Sequence, residues 1–193
     1  MHQQTDETVW KLCLKGDRKA FEILYRRYYP VLYNYGKIYV KDTEIVKNCL
    51  QNFFVKLLSN YSGLSYTPSV RCYLMKAFRY TLYNELKSIQ TRNGIFVSYP
   101  DEILTVKSDQ FLDEEDLTFK NILISTAFKK LSSKQQEILY LYYVRELNHD
   151  EIASLLNINY QSSKNLLFRA VVKLKTLLLS DPTWDGGEWF QRP

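Results

Sequence analysis

Histidine, cysteine, glycine and proline are all scarce in this chain of 193 residues, numbering two, three, six and five. His2 and His149 stand far apart, and no phosphate-cradling glycine loop, nucleophile elbow or metal-ligand spacing accompanies them. Glu44 and Glu85, the acids that could be imagined as a catalytic pair, are distant in sequence and read as solvated surface. With no acid/base constellation assembled, the chain is expected not to be an enzyme and to carry neither cofactor nor metal. Cys13, Cys49 and Cys72 are spaced too widely for zinc or a disulfide frame and read as buried free thiols in a reducing cytoplasm. No run approaches the ~20 apolar residues of a membrane span. The opening Met1-His2-Gln3-Gln4-Thr5-Asp6-Glu7 has nothing of the basic-then-apolar build of a secretion signal. The expectation is a cytoplasmic protein without direct membrane insertion, long enough for one ordinary core or two small ones.

Charge is present but unevenly placed. Within a net +5, residues 11–88 carry +9 and residues 118–180 carry +5, whereas residues 89–117 carry −5. Two basic bodies thus flank an acidic strap. That arrangement suits two modules that each face a polyanion, because neutralising phosphates supplies most non-specific affinity for nucleic acid.

The stretch from Leu131 to Leu178 has the order of a helix-turn-helix. In Asn148-His149-Asp150-Glu151, an acceptor side chain followed three residues later by a carboxylate can satisfy the free N–H groups of a helix start. His149 is expected to help that cap. Ile152, Leu155 and Leu156 give the short helix one apolar face, and Asn157-Ile158-Asn159 forms a turn in which Asn tolerates left-handed backbone. A second helix starts at Tyr160. At about 100° per residue its Ser163, Leu167, Ala170, Val171, Leu174 and Leu178 share a packing side. Opposite lie Gln161, Ser162, Asn165, Phe168, Arg169 and Val172, flanked by Lys164 and Lys173, so amides, hydroxyls and cations able to reach base edges and phosphates face outward. An ordinary solvated helix would share that polarity, but not the cap, turn and polar-outward helix in sequence.

Residues 6–88 have helical periodicity almost throughout, with breaks expected at Tyr29-Pro30, Val40 to Thr43 and Ser59 to Pro68. Trp10, Leu14, Phe21, Leu24, Tyr25 and Tyr28 form an early stripe, Val31 to Val40 continue it, and Ile45, Val46, Cys49, Leu50, Phe53 and Leu57 form the next. In the helix from Val70 to Lys87, Val70, Leu74, Phe78, Leu82 and Leu86 mark the core side. Cys72, Lys76, Arg79, Tyr80, Tyr83 and Lys87 interleave cations with rings on the other. Rings stack on unpaired bases while cations follow the backbone, so single-stranded DNA fits this face; a merely tyrosine-rich surface is the alternative. The preceding loop, Leu58 to Pro68, is polar and aromatic enough to receive a flipped base, or to be a plain connector. Gln90 to Asp116, with Gly94, Pro100 and Asp113-Glu114-Glu115-Asp116, reads as a mobile linker, and a second bundle starts near Leu117. The expected fold class is all-α: two small helical domains at 1–90 and 117–180, joined by a flexible acidic linker at 91–116. The tail at 181–193 has no assigned role.

Several motifs fall in a recognisable order. They are Asp17-Arg18-Lys19-Ala20-Phe21-Glu22-Ile23-Leu24-Tyr25, the run from Thr43 through Gln51-Asn52-Phe53-Phe54 to Leu57, and Ser69-Val70-Arg71-Cys72-Tyr73-Leu74. In the second half come Leu131-Ser132-Ser133-Lys134-Gln135-Gln136-Glu137-Ile138, His149-Asp150-Glu151-Ile152-Ala153 and Asn159 to Leu166. In order and spacing they resemble the extracytoplasmic-function sigma factors, the minimal members of the sigma-70 family, over most of the chain. The resemblance implies that 1–90 is region 2, which binds core RNA polymerase and melts the −10 element, and that 117–180 is region 4, which reads the −35 element of duplex promoter DNA. It places Gln51, Asn52, Phe53 and Lys56 on polymerase, and Asn60, Tyr61, Arg71, Lys76, Arg79, Tyr80 and Tyr83 on the single-stranded −10 element. Gln161, Ser162, Lys164, Asn165 and Arg169 fall to the −35 groove. It further implies an anti-sigma partner and a linker that threads toward the polymerase RNA channel. One rival is a two-domain helix-turn-helix regulator whose first half binds a ligand or dimerises, but it gives no reason for a +9 first domain with a Tyr, Lys and Arg face. A protein-only adaptor is another, and it predicts affinity independent of salt.

Overall fold

The computed structural model describes residues 4–40, 42–92 and 119–184. Every regular element among them is helical, and they fall into two compact units, within Met1–Ile103 and Leu104–Pro193. In the first unit α1 is Asp6–Cys13, α2 Arg18–Lys37, α3 Thr43–Ser59 and α4 Val70–Arg92, with a single 3-10 turn at Tyr61–Gly63. Side-chain oxygens start the first three helices. Thr5 accepts from the Thr8 N–H, Asp17 from those of Lys19 and Ala20, and Asp42 from that of Glu44. The two aspartates also place negative charge at the positive ends of helix dipoles.

The early apolar stripe is two helices, not one, because Gly16 takes φ +79° between Cys13 and Asp17, a conformation that costs a residue without Cβ nothing. Tyr25 leaves that stripe for the surface and meets Phe54 edge-on at 4.8 Å. At Pro30 the expected break does not occur, and α2 runs through it. Proline removes one helical hydrogen bond and costs roughly 3 kcal/mol in a helix interior. Pro30 and Arg26, whose carbonyl is left without its partner, both lie on the exposed side where water serves. On the opposite side Phe21, Leu24, Tyr28, Leu32 and Tyr35 are buried, and at about 1.5–3 kcal/mol for each large side chain their burial outweighs the loss. The expected breaks before Thr43 and between Ser59 and Val70 are present.

α1 packs on α2 and α4, α2 on α3 and α4, and α3 on α4. Trp10, Leu24, Leu32, Tyr35, Leu50, Leu74, Met75, Phe78 and Leu82 fill the space between them. α2 and α3 approach closely at Gly36, where a Cβ would stand 2.6 Å from Val46 Cγ1. Asp6 ties α1 to α2 by accepting from Arg27 Nη1 at 2.7 Å and from the Tyr28 hydroxyl, whose pKa burial and the Asp6 carboxylate raise far above the ordinary phenol range. All three cysteines are buried and outside any disulfide, and burial pushes the Cys13 and Cys49 thiols up to about 11, so they stay protonated. α4 continues through Thr91 and Arg92, where the linker was expected to have begun. The rest of the expected linker, at 93–116, and the tail at 185–193 lie outside the described residues. No helix is long and apolar enough to cross a membrane, and no His, Cys, Asp and Glu cluster suits a metal, both among the described residues.

In the second unit α5 is Phe119–Lys129, α6 Ser133–Leu139, α7 His149–Leu156 and α8 Tyr160–Leu179, with a π-helical turn, Tyr140–Val144, prolonging α6. α5, α6 and α7 each pack on α8 around Ile138, Leu141, Ile152, Leu155, Leu167, Ala170 and Leu178. Buried Gln136 joins α5 to α6, its Nε2 donating to the carbonyls of Phe128 and Leu131 at 3.0 and 3.2 Å.

Candidate nucleic-acid interface

The expected capping box is present. The Glu151 N–H donates to Asn148 Oδ1 at 2.9 Å, and the Asn148 N–H donates to Glu151 Oε2 at 3.1 Å. Asn157 closes α7 in the left-handed conformation at φ 57°, and Asn159 starts α8 by accepting from the Ser162 N–H at 2.7 Å. Asn148 therefore starts α7, while Asn157 and Asn159 frame the turn that leads from α7 into α8. Asn148→Ala is expected to cost about 1 kcal/mol, a fall of roughly 5 °C in the melting of this unit, measurable by calorimetry of the full chain.

His149 does not cap α7, as it was expected to help do; Asn148 fills that role. Its Nδ1 lies 2.9 Å from the Oγ of fully buried Ser163, and its ring packs between Tyr142 at 5.3 Å and Tyr160 at 5.7 Å. The imidazole thus locks the first turn of α7 to α8. Sequence offers no signal for this, since the two residues meet only through the turn.

With Ser163, Leu167, Ala170 and Leu178 buried, α8 turns Gln161, Lys164, Asn165, Phe168, Arg169, Val172 and Lys173 to solvent, as expected. Ser162 is half-buried and gives its N–H to the cap. Gln161 Nε2 donates to Asn165 Oδ1 at 3.1 Å, Arg169 Nε donates to the Asn165 carbonyl at 3.3 Å, and Lys164 Nζ sits 5.7 Å from the Tyr160 ring centroid. The side chains that could read bases are thereby pre-arranged along one arc, with cations at its edges for phosphates. Phe168, 69% exposed, sits at the centre of that arc.

On α4, Lys76 and Tyr80 are exposed, while Arg79, Tyr83 and Arg71 are half-buried. Lys76, Arg79, Tyr80 and Tyr83 follow helical spacing down one stripe, which brings two cations and two rings together as expected. Cys72 does not belong to it: the thiol is 8% exposed. Because α4 is packed by α1, α2 and α3 together, its buried arc widens to take in Cys72 and Met75 as well as Val70, Leu74, Phe78 and Leu82, while Leu86, expected on the core side, is only half-buried. Asn60 and Tyr61 are exposed at the start of the Ser59–Pro68 loop, and so is Tyr66. The loop is pinned at two points. Trp10 Nε1 donates to the Ser65 carbonyl at 3.1 Å, with the Trp10 ring 5.2 Å from that of Tyr73. Tyr61 lies over Gly16, where a Cβ would stand 2.9 Å from Tyr61 Cε2. Neither anchor is visible in the sequence, although Gly16 followed by a capping aspartate does signal the helix break that creates the second.

Gln51, Asn52 and Lys56 are exposed on α3, but Phe53, expected among them, is 5% exposed and meets Phe78 edge-on at 5.7 Å. It lies with Val46, Cys49, Leu50 and Leu57 on the core side of the same helix. Val55 and Leu58, both large and well exposed, share the outer side with Gln51 and Asn52. A face that mixes amides with aliphatic side chains suits a protein partner better than a phosphate backbone.

The sigma-70 region 4 family matches residues 121–174, which include α6, α7 and most of α8. The chain is 22% identical over 160 residues to the ECF RNA polymerase sigma factor SigX of Bacillus subtilis (strain 168), covering 81% of this chain and 82% of that protein. It is 24% identical over 157 residues to SigM, another ECF RNA polymerase sigma factor of that organism, covering 80% and 92%. In fold it is similar to CnrH as solved with the cytosolic domain of CnrY, with a TM-score of 0.62 and 16% identity over 91% of this chain and 98% of the other. It is also similar to the sigma factor RpoE of Bartonella quintana, solved with the anti-sigma factor NepR, with a TM-score of 0.61 and 16% identity over 84% and 99%.

Proposed function

We infer that the chain, an extracytoplasmic-function sigma factor of the sigma-70 family, directs bacterial RNA polymerase to promoters by dividing the work between its two helical units. It is not an enzyme, and polymerase supplies the catalysis. The observation that carries this reading is the asparagine-capped helix-turn-helix, whose second helix turns Gln161, Lys164, Asn165 and Arg169 outward within the segment that matches region 4.

In this reading residues 117–180 act as region 4, with Gln161, Ser162, Lys164, Asn165 and Arg169 in the −35 major groove. Residues 1–90 act as region 2, where Asn60, Tyr61, Arg71, Lys76, Arg79, Tyr80 and Tyr83 hold the unwound −10 strand. Gln51, Asn52 and Lys56, joined by Val55 and Leu58, dock on polymerase, and Phe53 supports that helix from beneath. Residues 93–116 tether the two units, and joint attachment to polymerase multiplies two moderate affinities. The protein works in the cytoplasm, and a protein inhibitor of the anti-sigma kind covers its working surfaces when it is idle.

Added to bacterial core polymerase, the chain is expected to give promoter-specific transcription. Arg79→Ala should slow promoter opening more than it weakens duplex binding, and Lys164→Ala should weaken −35 engagement. Footprinting and opening kinetics measured side by side check both, and equal losses at both steps for both variants would contradict the division of labour.

A further inference from the structure

Arg79 and Tyr39 come from distant parts of the chain, yet Arg79 Nε donates to Tyr39 Oη at 3.3 Å. Tyr39 Oη in turn lies 2.8 Å from Tyr35 Oη. Both rings are buried and meet edge to face, with centroids 5.3 Å apart. A guanidinium has donors and no acceptor, so Tyr39 accepts from Arg79 while its hydroxyl also stays within hydrogen-bonding distance of Tyr35.

Two phenols at the end of α2 occupy places where two phenylalanines would bury as much ring without the cost of desolvating a hydroxyl. What the hydroxyls add is a fixed acceptor beneath the half-buried base of one arginine on α4. An arginine that meets a phosphate gives up rotamer freedom. Fixing Nε sets the plane of the guanidinium before the strand arrives, so less freedom remains to be lost. On the same stripe Lys76 and Tyr80 are exposed and have no comparable tether among the described hydrogen bonds, which singles out Arg79 as the preset member of the group.

On the reading that Arg79 meets the −10 strand, we propose that Tyr39 is a positioning residue for promoter opening. Its hydroxyl, itself held by Tyr35, orients Arg79 toward the phosphates of the unwound strand. A staple that merely joins the end of α2 to α4 would use the same bond, and coupling to Arg79 distinguishes the two.

The experiment uses the full chain with bacterial core polymerase and a promoter duplex that this holoenzyme selects from a library randomised over both elements. Opening is followed through 2-aminopurine in the −10 non-template strand, alongside duplex affinity. Tyr39→Phe keeps the ring and is expected to slow opening about fivefold, the size of one ordinary hydrogen bond, with duplex affinity unchanged. Tyr35→Phe/Tyr39→Phe, which leaves no stranded hydroxyl between the two rings, should behave the same and keeps the test informative if the single variant folds poorly. In an Arg79→Ala background, Tyr39→Phe should cause no further loss. Normal opening by both phenylalanine variants, or the same fivefold loss with and without Arg79, would overturn the proposal and leave the bond a staple. If Arg79→Ala itself opens promoters normally, the assignment of Arg79 to the strand falls first, so that failure is told apart from the failure of the positioning role.

Discussion

Phe78→Ala is expected to remove about 3–5 kcal/mol from the N-terminal unit, the usual cost of emptying a buried phenylalanine site. The ring is 0% exposed, stands edge-on to Phe53 and lies against Gly36, so α2, α3 and α4 all lose a contact at once. The surrounding backbones are held together by that close approach and have little room to collapse into the hole. Domains of this size have only about 5–15 kcal/mol of stability in total, so a large share of this unit's margin goes with one side chain. Calorimetry of the full chain should show one transition moving down steeply while that of the helix-turn-helix unit stays in place. In transcription assays the variant should lose polymerase docking and opening together. A loss under 1 kcal/mol, or an equal shift in both transitions, would show that the core has been wrongly located.

The second large effect is expected on the other unit. Lys164→Ala combined with Arg169→Ala should lower −35 affinity about a hundredfold, since each removed contact to phosphate or base edge costs roughly 1–3 kcal/mol. Both residues are exposed on α8, so stability should hardly change. If Lys164 meets a phosphate, the slope of log affinity against log salt should fall by about 0.9 in its single variant. If Arg169 reads a base, its single variant should relax sequence preference at one position instead. Footprinting of the −35 element at several salt concentrations measures both. An unchanged footprint would remove α8 from the groove and return the helix to ordinary surface.

How much of this was legible beforehand depends on the range of the interactions involved. Asn148, Glu151, Asn157 and Asn159 were readable because a cap or a left-handed corner involves residues within three or four of each other, and the chemistry is in the side chain itself. The outward arc of α8 was readable for the same reason, since 3.6-residue periodicity needs no knowledge of the partner. Cys72 was misplaced because periodicity fixes only the direction of an apolar stripe, whereas Phe53, which periodicity set correctly in the core stripe of α3, was turned toward polymerase only by the family resemblance. How wide the buried arc becomes depends on how many neighbours pack, and α4 has three. Pro30 misled for a related reason: its local penalty is real, but the side chains buried on the other side of α2 outweigh it.

The order of helices, their caps, the separation into two basic bodies and the outward polar arc of α8 all follow from local spacing and charge, which the chain carries wherever it folds. The tethering of Arg79 by Tyr39 and Tyr35, the pinning of the Ser59–Pro68 loop by Trp10 and Gly16, and the lock between His149 and Ser163 were settled by packing alone. Each joins residues that no periodicity relates, and such contacts exist only once burial has brought distant helices within hydrogen-bonding reach.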